Sequence, residues 1–376
     1  GQEELISKTY LDTGSNNVPR DLSISNDGNI ISFSSEASDL VENDTNGLRD
    51  VFYRNRVTGE TKRASVDASG SELTPSYGSY GNVVSGDGKK IAFFTNADMD
   101  SKDKYGWFDV YLKDLVTGAV ELVSLDDNGN HQFANYDFYY LACSDDCGVI
   151  AYAGTAPSAS GNGSYNLFVR DRNTGTTEQI SNVPNGTTAG FGQFVPAISA
   201  DGQIIVYQSD VNGLITADQN NLKDIFVFDR QAGTTTLVSK NTDGEAANDA
   251  SFKPSVSADG RYISFESLAS NLDSDLADTN AQADVFVHDR KMGTTQRLSK
   301  DWESNEGVGD YEPAFNPYML KDGSGVLYRT SINITPDADS WGWNLFTSTL
   351  PMCLSGNTAP IVSITAPATP QTLSTG

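Results

Sequence analysis

Apolar and polar residues alternate over short stretches between glycine-containing turns, and the stretch from Lys253 to Ser299 shows one complete unit of this pattern. Its predicted strands are Pro254–Ser257, Arg261–Ser267, Asp284–His288 and Thr295–Ser299. Alternation with a period of two, bounded by turn residues, is typical of half-buried strands. The unit therefore predicts a single sheet of four consecutive antiparallel strands.

Two short signatures show that this unit is repeated. An Asp-Gly turn separates the first two strands at Asp27-Gly28, Asp87-Gly88, Asp146-Cys147-Gly148, Asp201-Gly202, Asp259-Gly260 and Asp322-Gly323. A second signature opens the third strand at Asp50-Val51-Phe52, Asp109-Val110-Tyr111, Asn166-Leu167-Phe168, Asp224-Ile225-Phe226, Asp284-Val285-Phe286 and Asn344-Leu345-Phe346. Both signatures occur six times, so the chain is predicted to be all-β and built from six such sheets.

The two ends of the repeat region complement each other. The sixth unit has no match to the fourth strand, whereas Glu4-Leu5-Ile6-Ser7 matches Glu121-Leu122-Val123-Ser124, where the second unit has its fourth strand. Closing a ring pairs strand edges that would otherwise be exposed. We therefore expect a six-bladed β-propeller of four-stranded antiparallel blades over residues 3–350, its ring closed by the N-terminal strand, near Glu4 to Lys8, completing the last blade.

Repeats such as PSVSADGRYISF and ADVFVHDRKMGTTQRLS resemble the TolB-like β-propeller repeat of bacterial periplasmic and secreted proteins. The resemblance covers about Glu3 to Thr349 and implies the propeller fold. It does not imply the envelope role of TolB, because the N-terminal α/β domain of TolB has no match here. No G-x-S-x-G elbow of a hydrolase domain is present either.

Residues 351–376 are rich in Pro and Thr and lack the blade pattern. Asn357-Thr358-Ala359-Pro360 followed by Ile361-Val362-Ser363-Ile364 resembles the opening of immunoglobulin-like modules of bacterial surface proteins. We expect a linker or the start of a following immunoglobulin-like module; the alternative is a disordered tail.

The formal net charge of −25 narrows the choice of partners. Affinity for nucleic acid depends on clusters of Lys and Arg, so we expect no nucleic-acid partner. No apolar run approaches the ~20 residues that span a bilayer, so we expect no membrane insertion. We expect a monomer that is secreted, periplasmic or at the cell surface. Cys143 and Cys147 flank a predicted hairpin turn, either as a disulfide or as two free thiols.

Oxygen-bearing side chains recur with one spacing in the loops between the second and third strands. They are Asp44, Asn46 and Asp50, then Asp218, Asn220 and Asp224, then Asp278, Asn280 and Asp284. Hard cations take several oxygen ligands at ~2.3–2.6 Å, so these loops predict structural Ca²⁺ at blades one, four and five. The alternative is that Asp and Asn form turns and bind backbone N–H groups.

Aromatic residues concentrate in loops that we expect to open on the same face as the Asp-rich loops. The candidate ligand-binding residues are Tyr105, Trp107, His131, Tyr136, Trp302, Trp341 and Trp343. Aromatic rings with interspersed carboxylates and amides suit sugar recognition. The alternative is that these rings plug the central channel and pack between blades.

Catalysis has few candidate residues. His131 with Tyr136 or Tyr139 is the one base and acid set for a polysaccharide lyase, and we expect His288 to be a surface side chain. The sequence therefore favours a non-catalytic recognition or scaffold propeller of a larger secreted or periplasmic bacterial protein. It would bind a glycan or a protein on its acidic aromatic face. The alternative is a polysaccharide lyase or a glycosidase acting on an extracellular polysaccharide.

Overall fold

The computed structural model describes residues 4–74, 76–103, 106–130, 140–155, 165–181, 194–211, 213–215, 220–273, 278, 282–300, 315–330, 344–350 and 363–364. In this part of the chain every regular element is a strand. Among these residues no helix is long and apolar enough to span a membrane.

The strands form six antiparallel sheets, each built from four strands that follow one another in the chain. The first three sheets comprise β1 (Arg20–Ile24), β2 (Ile30–Ser35), β3 (Asp50–Asn55), β4 (Glu60–Arg63); β5 (Ser79–Val84), β6 (Lys90–Thr95), β7 (Asp109–Asp114), β8 (Val120–Leu122); and β9 (Leu141–Cys143), β10 (Val149–Thr155), β11 (Tyr165–Asp171), β12 (Thr176–Gln179). The last three comprise β13 (Val195–Ile198), β14 (Ile204–Ser209), β15 (Asp224–Asp229), β16 (Thr234–Leu237); β17 (Ser251–Val256), β18 (Tyr262–Ser267), β19 (Asp284–Asp289), β20 (Thr294–Arg297); and β21 (Phe315–Met319), β22 (Gly325–Thr330), β23 (Asn344–Thr349), β24 (Ser363–Ile364).

This architecture is a six-bladed β-propeller, which confirms the fold class predicted from the repeats. The chain divides into two compact units, residues 1–205 and 206–376, and the boundary falls within β14. The first unit holds three complete sheets and the second holds the last two complete sheets. That residues 3–350 form one domain and 351–376 a linker or a following module stays a prediction.

A buried aromatic pair explains the recurring Phe or Tyr of the third strand. This residue packs against an aromatic residue of the second strand of its own blade, with ring centroids 5.7 to 5.9 Å apart in four blades. The pairs are Phe33 with Phe52, Tyr152 with Phe168, Tyr207 with Phe226, and Phe265 with Phe286. Aromatic side chains bury a large apolar area, so each of these four pairs stabilises the packing of the second strand against the third.

A buried polar pair explains the Asp that precedes this aromatic residue. In the first blade Ser65 Oγ donates to Asp50 Oδ1 at 2.6 Å and accepts the backbone N–H of Val51 at 3.0 Å. The same two bonds recur at Asp109 with Ser124, at Asp224 with Ser239 and at Asp284 with Ser299. Buried polar groups require hydrogen-bond partners. The buried Asp therefore depends on a Ser fifteen residues later in the chain to satisfy its carboxylate.

The Asp-Gly turns also join neighbouring blades. Gly88 has φ of +69°, and a Cβ atom there would lie 2.8 Å from Ile30 of the preceding blade, so only glycine fits. Backbone bonds link successive turns of the first unit, from Asn26 N to Gly86 O and from Gly86 N to Asp145 O at 2.9 and 2.7 Å.

The structure corrects the predicted source of the outermost strand of blade six. β23 pairs on its outer edge with β24, with Ser348 opposite Ile364, whereas Lys8 forms an isolated bridge with Gly14. Only one segment can occupy this edge. Three of the four residues in Ile361-Val362-Ser363-Ile364 are β-branched, against one in the segment from Glu4 to Lys8, so strand propensity favours the C-terminal run.

The disulfide interpretation of Cys143 and Cys147 is confirmed, since the two residues are bonded across the β9–β10 turn with Cα atoms 4.9 Å apart. Cys147 holds the position of the turn glycine with φ of +50°, and both side chains are buried. The disulfide thus holds Cys147 in the left-handed backbone conformation, which residues with a Cβ atom rarely adopt.

The double variant Cys143→Val/Cys147→Gly should lower the free energy of unfolding by about 1–2 kcal/mol. A short closed loop contributes about 2 kcal/mol through the unfolded state, and glycine in the left-handed position offsets part of the loss. Urea unfolding with and without a reductant checks this. The reductant should destabilise the wild-type chain and leave the variant unchanged; equal effects on both would contradict the prediction.

Candidate functional site

A cleft of about 530 Å³ opens between two loops of the first unit. One loop connects β4 to β5 and the other connects β6 to β7. The lining is mostly polar and comprises Asp67, Glu72, Leu73, Thr74, Ser76, Asn96, Ala97, Asp98, Met99 and Gly106. Its size is that of a small-molecule site.

Local hydrogen bonds fix the β4–β5 loop, which forms the first wall of the cleft. Asp67 Oδ1 accepts the backbone N–H groups of Ser69 and Ser71 at 2.8 Å each, which closes a turn around Gly70. Bonds from Ser69 and Ser71 lower the pKa of Asp67, so this carboxylate stays charged.

Asn96 lies in the β6–β7 loop, which forms the second wall of the cleft. It is hydrogen-bonded next to two exposed aromatic residues, Tyr77 and Trp107, which we call the aromatic rim. Its Oδ1 accepts the backbone N–H of Tyr77 at 3.2 Å, and its Nδ2 donates to the carbonyl of Gly106 at 3.5 Å. Tyr77 and Trp107, which follow lining residues in the chain, are 54% and 39% exposed. Buried Phe108 packs against Tyr77, with ring centroids 6.2 Å apart. The cleft therefore has two exposed rings at its edge.

A buried ionic cluster lies behind the cleft and shares Glu72 with it. Oxygens of Asp44, Asp50 and Glu72 lie within 4.8 Å of one another. The Arg63 guanidinium lies 3.6 Å from Asp44, 3.4 Å from Asp50 and 2.5 Å from Glu72. Arg63 and Asp44 side chains are only 5% and 3% exposed, so one cation faces three carboxylates away from water.

The three carboxyl groups of the cluster differ in the direction of their pKa shifts. Burial raises the pKa of Asp44 to about 6, against the opposing attraction of Arg63. Burial also raises the pKa of Asp50. Burial acts in the same direction on Glu72, but hydrogen bonds from Thr45 and Arg63 outweigh it and lower its pKa to about 2. Glu72 is thus a fixed negative charge at the cleft, and Asp44 titrates near neutral pH.

The cluster bears on the predicted calcium sites. Arg63 lies opposite Phe52 in the β3–β4 register, and Arg297 holds the same place opposite Phe286 in blade five, 2.9 Å from Asp284. A guanidinium therefore already supplies positive charge at blades one and five, and calcium at these two blades stays a prediction.

Blade four differs, because Leu237 lies opposite Phe226. Calcium at this blade stays a prediction, since Asp218 lies outside the described residues, as does Asn280 of blade five. The alternative, a turn role, accounts for Asn46 and Asn220. Each accepts a backbone N–H two residues later, from Leu48 at 2.8 Å and from Leu222 at 2.7 Å, and donates to the Asp that opens the third strand.

Of the seven predicted ligand-binding residues, the structure describes Trp107 and places it beside the cleft. Tyr105, His131, Tyr136, Trp302, Trp341 and Trp343 lie outside the described residues, as does Tyr139 of the lyase alternative. The expectation of a surface His288 is wrong. Its side chain is 4% exposed, its Nδ1 lies 2.9 Å from Thr295 Oγ1, and burial lowers its pKa to about 4.

Sequence reasoning missed Arg63, Glu72, Asn96 and Asp98. One signal was present: ETKRAS and TTQRLS place an arginine at the same point of the fourth strand in blades one and five. Glu72, Asn96 and Asp98 lie in connections that differ between blades, so repetition gave no signal for them.

No family model matches the sequence, and no curated protein matches it. Among solved structures, the chain is similar to acylaminoacyl peptidase from Pyrococcus horikoshii, at 12% identity over 92% of this chain and 46% of that chain, with a TM-score of 0.52. It is also similar to the β-propeller domain of the Trilobed protease from Pyrococcus furiosus, at 12% identity over 92% and 85% of the two chains, with a TM-score of 0.50. TolB from Acinetobacter baumannii matches at 16% identity over 80% of this chain and 57% of that chain, with a TM-score of 0.42.

At these identities the two propellers with the higher TM-scores show the fold alone. The chain spans less than two thirds of the peptidase and of TolB, so the activities of those whole proteins are not transferred to it.

Proposed function

We propose that this chain is a non-catalytic recognition propeller of a larger secreted or periplasmic protein, and that the cleft of the first unit binds a glycan. The observation that carries the proposal is the pairing of exposed Tyr77 and Trp107 with a polar cleft. Sugar C–H faces pack on aromatic rings while hydroxyl groups bond to carboxylates and amides.

The charges of the cleft favour binding over glycoside hydrolysis. A glycosidase needs one carboxylic acid whose pKa is raised so that it can protonate the leaving group. Glu72 has a lowered pKa and is held by Arg63, and Asp67 is held by its own turn. Asp44 has the raised pKa, but its side chain is buried behind the cleft.

The disulfide supports the proposed location. Disulfides persist in oxidising compartments such as the periplasm and the cell exterior. The Cys143–Cys147 bond fits such a compartment.

Trp107→Ala and Tyr77→Ala should each weaken glycan binding roughly tenfold, because each removes a ring that packs on a sugar face. Isothermal titration calorimetry against a panel of neutral, amino and acidic oligosaccharides measures this. Tyr318→Ala is the matched control, since Tyr318 is 47% exposed and belongs to the second unit, whereas the cleft lies in the first.

Two outcomes would contradict the proposal. One is glycan binding that both ring variants retain at full strength. The other is release of new reducing or unsaturated ends by the wild-type chain, which would show catalysis.

A further inference from the structure

Among the residues that the structure describes, the lining of the cleft holds acidic side chains and no cation. Asp67, Glu72 and Asp98 line it, and the described lining contains no Lys, Arg or His. Two of the three are fixed anions, because the pKa values of Asp67 and Glu72 are lowered by their hydrogen bonds. A ligand in this cleft therefore meets a concentrated negative potential.

Among the described residues, Lys113, Lys102 and Arg63 are cations near the cleft, and none of them lines it. Lys113 Nζ donates to the carbonyls of Asp67 and Gly118 at 2.8 Å each. Lys102 extends to the turn at Gly129, where its Nζ lies 3.9 Å from the position of a Cβ atom. Arg63 is buried behind Glu72 and faces three carboxylates.

Asp98 differs from the other two carboxylates. Its side chain is exposed, and within the described part of the chain no hydrogen bond or ion pair engages it. It lies next to Ala97 in the lining, in the loop that Asn96 anchors to the aromatic rim. Asp98 can therefore contact a cationic group of a ligand whose sugar face packs on the rim.

We propose that the cleft selects sugars that carry a free ammonium group, with Asp98 as the residue that pairs with it. This inference rests on the proposed glycan-binding function and adds the charge class of the ligand. A neutral sugar gains the ring and hydroxyl contacts alone, an amino sugar adds an ion pair, and a uronic acid is repelled.

The test compares three tetrasaccharides by calorimetry at low ionic strength: tetraglucosamine, its fully N-acetylated form and tetragalacturonate. We expect tetraglucosamine to bind at least about tenfold more tightly than the N-acetylated form, and tetragalacturonate not to bind. Asp98→Asn should weaken tetraglucosamine binding about three- to fivefold and leave the N-acetylated form unchanged. Asp210→Asn removes the same charge from an exposed side chain outside the lining and should change neither.

Each contrary outcome is distinct. Equal binding of the two glucosamine forms, lost in Trp107→Ala, overturns the charge selection and leaves the glycan-binding function standing. An Asp210→Asn effect as large as that of Asp98→Asn overturns the role of Asp98. A tetralysine peptide that displaces tetraglucosamine at lower concentration overturns the sugar assignment in favour of a basic protein segment. Failure of every oligosaccharide to bind overturns the proposed function and this inference together.

Discussion

The Arg63→Leu variant is expected to lose about 3–5 kcal/mol of unfolding free energy, which is the usual cost of removing one partner from a buried ion pair. The change leaves Asp44, Asp50 and Glu72 close together with their one cation gone. The loss should be larger at pH 8 than at pH 5, because Asp44 binds a proton below its pKa of about 6. Urea unfolding at both pH values measures it, since urea does not screen charges.

Blade four supplies a matched control for this variant. Leu237 occupies the place of Arg63 there, and the bridge that pairs Val66 with Glu72 in blade one pairs Lys240 with Ala246. The double variant Arg63→Leu/Glu72→Ala reproduces that arrangement and should recover part of the lost stability. A loss below about 1 kcal/mol in the single variant would show that Arg63 does not hold the cluster together.

The Asp44→Asn variant is expected to be more stable than the wild-type chain at pH 8, by up to about 3 kcal/mol. The pKa of Asp44 is raised from 3.8 to about 6 in the folded state. Between these values the folded chain holds a proton that the unfolded chain has released, so stability falls as pH rises through this window. Above about pH 6 the full penalty is present, and below about pH 4 it disappears. Asparagine removes the titrating charge and therefore the penalty.

The measurement is the free energy of unfolding in urea at pH 4, 6 and 8. The gain should grow with pH and vanish near pH 4. Asp98→Asn is the control, because it removes one negative charge from an exposed side chain of the same unit. A gain that is independent of pH, or equal in both variants, would rule out a penalty localised at Asp44.

Most of the fold was predictable because its causes are local. Gly88 must be glycine for its positive φ and for the close approach of Ile30, and such a turn leaves Asp-Gly in five of the six repeats and Asp146-Cys147 in the third. Asp284 and Phe286 recur for a second reason: in four blades the Asp that begins the third strand is bonded to a Ser fifteen residues later, and the aromatic residue two positions after Asp284 packs against the second strand. The source of the last strand was predicted wrongly, because the match of the N-terminal segment to other fourth strands was given more weight than the β-branched run Ile361-Val362-Ser363-Ile364, which pairs with β23.

The candidate site was predicted in part. Trp107 directly follows the lining residue Gly106, and its role in binding stays a prediction, whereas Asp44, Asn46 and Asp50 lie close together in the structure. Their role was not foreseen, because the cation that faces them belongs to Arg63 of another strand and the third carboxylate to Glu72 of another loop. Neither Arg63 nor Glu72 belongs to the repeated Asp-x-Asn-x-x-x-Asp pattern that contains Asp44 and Asp50.

The sequence by itself determined six four-stranded units, their turns and their internal aromatic pairs, since turn chemistry and alternation act over a few residues. The tertiary structure alone decided which charge neutralises the Asp-rich loop of blade one and where a cleft opens. It decided these because hairpin register and loop packing bring together residues such as Asp44, Arg63 and Glu72, whose distances in sequence carry no information about their contact.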